Sequence, residues 1–341
     1  MALLAWVQAV VQVEAAEAEV GVVVEEPGSI LRTLIMQTLY RSLRDKKAHV
    51  GNKLRRGAWI RVESPTPSEL EELIAKHELD SVIVQDALDP YEVPRIELED
   101  ENLYVIIRLP TRSGGDALTQ PLLIVLTPQL VITVSRTKLT QLDEFMNRKS
   151  NPVFTTQKTK LLLQLLQLVT MQFEQQLLQL ARAISAHATD LEKIANSHIA
   201  QFVQYETQYN TYLAALTPIK LVVEKLRTNK YVLLHEADHD LLEDLWWSLD
   251  QQIQMSAFGV KQVSNIREAY STIVSNNLNK TMKVLTSVTV ILTIPTMVSS
   301  FFGMNVPVPL ANHVFGFVLI AVFTTVASIG LYYIFRKKDL L

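Results

Sequence analysis

The alternation of hydrophobic and polar positions changes its rhythm three times along the chain. In residues 36–150 the apolar positions come in short, often β-branched runs at 58–63, 103–109, 122–126 and 130–135, which predicts strands. The break Thr127, Pro128, Gln129 between the last two predicts a hairpin. Thr66 followed by Pro67 and by Ser68, Glu69, Leu70, Glu71, Glu72 and Leu73 predicts a helix start, with proline at the first helical position and acids beside the positive end of the dipole. Those carboxylates serve the helix rather than a catalytic pair. From Thr156 to about Arg227 the rhythm becomes helical, and Leu162, Leu165, Val169 and Phe173 share one face at steps of three and four, as packed antiparallel helices require. A break near 230–235 precedes a last pattern that runs from about Asp238 without proline until Pro295. As one helix, its roughly 60 residues up to the end of the next apolar run extend about 90 Å.

That run begins a stretch, residues 284–335, with no Asp, Glu, Lys or Arg over 52 positions. It divides into 284–302 and 314–335, each close to the roughly 20 residues that cross a bilayer as a helix. The connector 303–313 contains Pro307, Pro309 and Asn312 and is too short for a domain. Lys280 and Lys283 precede the first span, Arg336, Lys337 and Lys338 follow the second, and the connector carries no positive charge. The positive-inside rule therefore puts both termini in the cytoplasm of a multi-pass inner- or plasma-membrane protein, with Tyr332 and Tyr333 at the inner interface. The N-terminal segment 1–35 is apolar-leaning but holds Glu14, Glu17 and Glu19 and no basic residue before Arg32, which is not the pattern of a signal peptide. It is expected to be a poorly packed N-terminal extension, with folded structure starting at Met36. The expected organisation is thus an α/β cytoplasmic domain at 36–150, a helical domain and stalk at 151–283, the first span at 284–302, the extracellular loop at 303–313, the second span at 314–335 and a basic tail at 336–341.

Composition narrows the chemistry. Hydrophobic residues make up 48% of the 341 and charged ones only 20%, which suits a helix-rich membrane protein. Zero cysteines exclude disulfides, Cys-ligated metals and thiol nucleophiles. The net charge of −3 offers no basic field for nucleic acid, and the 10 glycines form neither GxGxxG nor GxxxxGK[ST]. No organic cofactor is indicated.

Within the first span, polar residues follow a single line. Ser275, Asn279, Met282, Thr286, Thr289, Thr293, Thr296, Ser300 and Gly303 are separated by steps of 4, 3, 4, 3, 4, 3, 4 and 3, which is one helix face. Two readings fit: several parallel copies lining a water-filled path, or hydroxyls packing membrane helices together and bonding back to their own carbonyls. One helix cannot enclose a path, so the first reading requires a homo-oligomer in the lipid bilayer. Without intramembrane charge the passenger is a hydrated ion, because Mg²⁺ sheds its waters reluctantly. Asn and Thr side chains then contact the water shell, while Met282 and Leu285 form apolar rings that close the path by dewetting.

The residues around this face resemble a known family. Gly303-Met304-Asn305 follows the first of two C-terminal spans and is preceded by Asn279-Lys280-Thr281-Met282-Lys283-Val284-Leu285-Thr286 and by Pro295-Thr296. Trp59-Ile60-Arg61-Val62 with Ser64-Pro65-Thr66, and Asp86-Ala87-Leu88-Asp89 with Pro94-Arg95-Ile96-Glu97, extend the likeness over about 36–341. The chain resembles the CorA family of divalent-cation transporters. The resemblance implies an α+β, funnel-shaped homopentamer with a long stalk helix continuing into the pore helix. It gives Asn305 the role of holding the hydrated ion at the mouth, with Gly303 and Met304 shaping the turn. It also implies a regulatory cytoplasmic Mg²⁺ site of interface acids, here Asp86 and Asp244, that holds the funnel closed when occupied. Phe302 stands where many relatives have Tyr, and the connector has Val306-Pro307-Val308-Pro309 and Asn312-His313 in place of the acids often found there. Zinc, cobalt or nickel as the physiological ion remains open on this resemblance.

His235-Glu236-Ala237-Asp238-His239 fits HExxH, which on a helix presents two imidazoles for zinc. No third ligand is evident, and the motif lies at a helix break in an acidic stretch, so it is read as a solvated helix end and the protein as a non-enzyme. His187, His198 and His313 are isolated, and Trp246 and Trp247 are expected to pack the stalk. The expectation is a passive, Mg²⁺-gated channel for hydrated Mg²⁺, with Co²⁺ or Ni²⁺ as further cargo. A zinc-transporting member of the same superfamily and a non-conducting, membrane-anchored helical scaffold or sensor are the alternatives.

Overall fold

The computed structural model describes residues 36–43, 49–50, 55–111, 118–146, 152–188, 196–306, 309 and 314–338. The expected extension 1–35, His313 and most of the connector after Val306 lie outside the described residues. The described residues form two compact units: one holds those up to Ser185 together with Val203–Lys261, the other holds Ala186–Phe202 with Gln262–Leu341.

The first unit is built on a seven-stranded sheet of β1 (Met36–Tyr40), β2 (His49–Val50), β3 (Trp59–Glu63), β4 (Arg95–Glu99), β5 (Asn102–Pro110), β6 (Thr119–Leu126) and β7 (Val131–Ser135), in the order β2-β1-β3-β7-β6-β5-β4. Only β3 and β7 pair in parallel; every other neighbour is antiparallel. All five residues of β7 and seven of eight in β6 are buried, so these strands read as continuous apolar runs because both faces of the sheet are covered. Ile60, Val62, Tyr104, Ile106, Leu123, Val125, Ile132 and Val134 form one core with Leu70 and Leu73 of α1 (Pro67–His77) and Ile83 and Val84 of α2 (Ser81–Asp86). The expected helix start is present as a capping box: Glu69 N–H donates to Thr66 Oγ1 and Thr66 N–H to Glu69 Oε2. On the other face Trp59 meets Phe145 of α3 (Thr140–Met146) edge-on at 6.2 Å and donates to Thr133 Oγ1 at 3.0 Å. The buried Arg61 is neutralised by Asp143 at 2.8 Å and Glu63 at 2.9 Å.

Three long helices follow: α4 (Lys158–Ala188), α5 (Asn196–Leu226) and α6 (Glu236–Phe302), the last of 67 residues. Leu162, Leu165, Val169 and Phe173 are all fully buried, as their spacing predicts. Within the first unit, α4 joins α5 through Phe173 and Tyr212 at 5.6 Å and joins α6 through Gln252 Nε2, which donates to Thr170 O at 3.0 Å. Helices α5 and α6 are tied by Lys220 and Asp250 at 2.6 Å, with the Lys220 ammonium 4.0 Å from the Trp246 ring. Trp246 therefore packs as expected, whereas Trp247 is 59% exposed in the single chain: the two rings stand edge to face on one helix, and only one turns toward α5. The second unit contains the end of α6 and α7 (Gly316–Lys337). These two helices are long and apolar enough to cross a membrane, and little of their most apolar stretches is buried in the single chain.

Candidate functional site

The expected polar stripe lies on α6 inside one uninterrupted helix, so its heptad-like spacing becomes a geometric line. Asn279, Met282, Thr286, Thr289, Thr293, Thr296 and Ser300 are all exposed in the single chain. Thr289, Thr293, Thr296 and Ser300 line one groove of about 470 Å³ with Leu292, Met297 and Phe301. Asn279, Met282 and Thr286 line a second cavity of about 740 Å³, together with Lys280, Lys283 and Phe335 of α7. Leu285 lines neither, but at 59% exposure it stands on the open side of the helix beside Met282 at 51%.

Three hydroxyl hydrogens of this face are already committed. Thr289 donates to Leu285 O at 2.8 Å, Thr293 to Thr289 O at 2.8 Å and Thr296 to Leu292 O at 2.9 Å. Each oxygen keeps lone pairs directed away from the backbone, so the face presents acceptors. This arrangement suits a hydrated cation, whose water hydrogens point outward. Proline at 295 has no N–H to give the carbonyl of Ile291, which lies on the side of the helix away from the stripe.

Burial separates this face from helix packing within the chain. The hydroxyl residues that are buried in the spans are Ser287 and Thr324, at 4% and 9% exposure, and the Ser328 hydroxyl oxygen is buried as well; none of the three belongs to the stripe. Small polar residues thus fill packed positions at 287 and 324, while the stripe turns outward.

Helix α6 ends at Phe302, where Gly303 N–H donates to Ser299 O at 3.0 Å and Met304 N–H to Phe301 O at 3.4 Å. Gly303, Met304 and Asn305 are exposed at this end, and among the described residues the Asn305 amide has no hydrogen-bond partner. A side-chain amide held at the stop of a hydroxyl-lined helix can donate and accept toward ion-bound water.

The two expected regulatory acids are not joined to each other by any hydrogen bond or ion pair among the described residues. Asp86, at the end of α2, accepts from Arg95 Nη2 at 3.0 Å, and Arg95 also pairs with Glu92 and Glu97. One guanidinium therefore gathers three carboxylates, a partner set that sequence reading left unassigned. The signal was present in Arg95 and Glu97, which stand two apart on β4 and so share a face. Asp244 is exposed on α6. No group of three or more His, Cys, Asp or Glu among the described residues is placed to hold a metal ion. The HExxH match resolves into a cap: α6 starts at Glu236, His235 precedes it, and His235 N–H donates to Asp238 Oδ2 at 3.0 Å. His239 Nε2 lies 3.4 Å from Asn229 Nδ2.

Comparison with known proteins is consistent along nearly the whole chain. The sequence profile of the family described as CorA-like Mg²⁺ transporter protein matches residues 56–337. The cobalt/magnesium transport protein CorA of Methanocaldococcus jannaschii is 27% identical over 296 residues, covering 82% of this chain and 90% of that protein. The complete structure of the CorA magnesium transporter from the same organism superposes with a TM-score of 0.79 at 22% identity, over 90% of this chain and 99% of the other. The full-length CmaX structure gives a TM-score of 0.68 at 19% identity, over 89% and 96% of the two chains. At these identities the two structures establish a shared fold.

Proposed function

Because the chain belongs to the CorA family of Mg²⁺ transporters, we propose that five copies assemble with their α6 stripes around one axis and conduct hydrated Mg²⁺ into the cytoplasm. The observation that carries this reading is the row of exposed threonines at 289, 293 and 296 whose hydroxyl hydrogens are turned back to the helix. Such a row accepts from the outward hydrogens of an ion's water shell without stripping it, and Mg²⁺ keeps its waters where no carboxylate replaces them. Asn305, with Gly303 and Met304 setting the turn, selects at the extracellular mouth by holding that shell. Met282 and Leu285 close the cytoplasmic end as apolar rings that exclude water. Basic residues on the flanks of both spans put the termini in the cytoplasm. A membrane potential drives the flow: at about 2.3 kcal/mol per charge per 100 mV, a divalent ion gains roughly 4.6 kcal/mol, so no nucleotide hydrolysis is required.

Regulation by cytoplasmic Mg²⁺ is the second element of the proposal. Mg²⁺ needs only one or two carboxylates because it retains waters. Asp86 of one copy and Asp244 of a neighbour meet that need, with Arg95 as the resident cation that the metal must displace from Asp86. Occupied sites hold neighbouring copies together in the closed arrangement.

The test is flux into liposomes that contain the purified protein and a Mg²⁺-sensitive dye, under an inside-negative potential. Wild type is expected to admit Mg²⁺, and Asn305→Ala to lose most of that flux while assembling normally. Unchanged flux in Asn305→Ala removes the proposed filter, and no flux in wild type leaves a membrane-anchored scaffold as the reading. The same assay with Co²⁺, Ni²⁺ and Zn²⁺ ranks the cargo.

A further inference from the structure

The first unit contains a cavity of about 1200 Å³ that the transport reading does not use. It lies among the loop between α2 and β4, the ends of β5 and β6, the connection from β7 to α3, and α5. Among the described residues its charge is one-sided. Arg136 and Lys138 stand two positions apart on the β7–α3 connection, both exposed, and among the described residues neither has an acid partner. The sole carboxylate on the described lining, Glu92, is engaged by Arg95. Two unneutralised cations thus share one wall in a chain whose net charge is −3.

The floor is fixed. Arg108 donates to Pro90 O and Glu92 O at 2.7 Å, to Thr119 Oγ1 at 2.8 Å and to Thr119 O at 2.9 Å, which pins the 90–94 loop against the sheet. Burial lowers the pKa of this guanidinium, and Asp89 partly offsets the effect. With most of its donors spent, Arg108 is a scaffold for the site rather than its ligand clamp. The pinned loop presents Tyr91, whose side chain is 86% exposed on the cavity rim. On the α5 part of the lining, Thr207 donates its hydroxyl to Val203 O at 2.9 Å and Thr211 to Thr207 O at 2.8 Å, so both oxygens remain as acceptors beside Asn210.

Paired cations recognise phosphate, an exposed aromatic ring offers a stacking surface, and hydroxyl and amide groups suit sugar hydroxyls. We propose that this cavity binds an organic phosphate of nucleotide size, with the phosphate on Arg136 and Lys138 and the ring on Tyr91. Repulsion between the two cations is relieved when the anion arrives, so binding weakens as salt rises.

The test is calorimetric titration of the full-length protein in detergent with ATP, in EDTA so that no divalent ion contributes, with inorganic phosphate as comparator. Saturable ATP binding is expected, weakened about tenfold or more in the Arg136→Ala, Lys138→Ala double variant, with inorganic phosphate weaker than ATP. Both cations are exposed and unpaired, so the double variant is expected to keep the wild-type melting temperature and assembly size. Tyr91→Ala reports the stacking wall separately, with a smaller loss of ATP affinity. The absence of saturable binding at about 5 mM ATP, an unchanged affinity in the double variant, or inorganic phosphate binding as tightly as ATP overturns the proposal.

Discussion

At Gly259, a Cβ placed on the backbone would lie 2.3 Å from Cζ of Tyr209, so α6 and α5 approach closely because one residue has no side chain. Gly259→Ala must displace that ring, and the overpacking is expected to destabilise the first unit by about 1–3 kcal/mol, read as a lower melting temperature of the full-length protein. An aromatic facing a glycine 50 positions later is invisible in one sequence, because nothing local marks the pair. Arg95 is similar. Its neighbours Glu92 and Glu97 are readable from spacing, but its reach to Asp86 depends on how the loop after α2 returns to the sheet edge. If Arg95 competes with Mg²⁺ at Asp86, Arg95→Gln shifts inhibition by internal Mg²⁺ to several-fold lower concentrations, and Asp86→Asn or Asp244→Asn relieves it. Flux assays at graded internal Mg²⁺ measure both, and equal inhibition curves in all four proteins would remove the regulatory site from this pair of acids.

For the elements, legibility followed burial. The strands expected at 58–63, 103–109, 122–126 and 130–135 appear as β3, β5, β6 and β7, because central strands covered on both faces carry dense apolar runs. Strands β1, β2 and β4 were missed: they lie toward the two edges of the sheet and mix charged or polar residues with apolar ones, as in Arg-Ile-Glu-Leu-Glu of β4, and β2 has only two residues. The apolar helices were more readable than the sheet unit, since a span without charge and a stripe at fixed spacing are properties of one helix alone. What spacing left undecided was whether the stripe packs or opens; within one chain the threonines are exposed and Ser287 is buried. Replacing Thr289, Thr293 and Thr296 together by Val preserves shape but deletes three acceptors per copy. Flux is expected to fall at least tenfold with assembly intact, whereas Thr→Ser at the same positions, which keeps the oxygens, retains it; the comparison in liposomes checks that the oxygens rather than the bulk matter.

For the whole molecule, the family assignment rests on residues 56–337, and it agrees with what the sequence offered at Gly303-Met304-Asn305 and the two spans. The sequence reached a homo-oligomer only indirectly, because one helix cannot enclose a path; in the structure a single chain exposes Leu285, Leu292, Phe301, Val318 and Phe323 on its apolar helices. The central claim, that the threonine face of α6 meets water in the assembled protein, is open to direct measurement because the chain contains no cysteine. Single variants Thr289→Cys, Thr293→Cys and Thr296→Cys, with Ile291→Cys and Ile294→Cys as the off-stripe set, are reconstituted and treated with a charged, membrane-impermeant thiol reagent while Mg²⁺ flux is followed. The account predicts labelling and block of flux at 289, 293 and 296, and neither at 291 and 294. Unreactive stripe positions, or equal labelling on both faces, would contradict it.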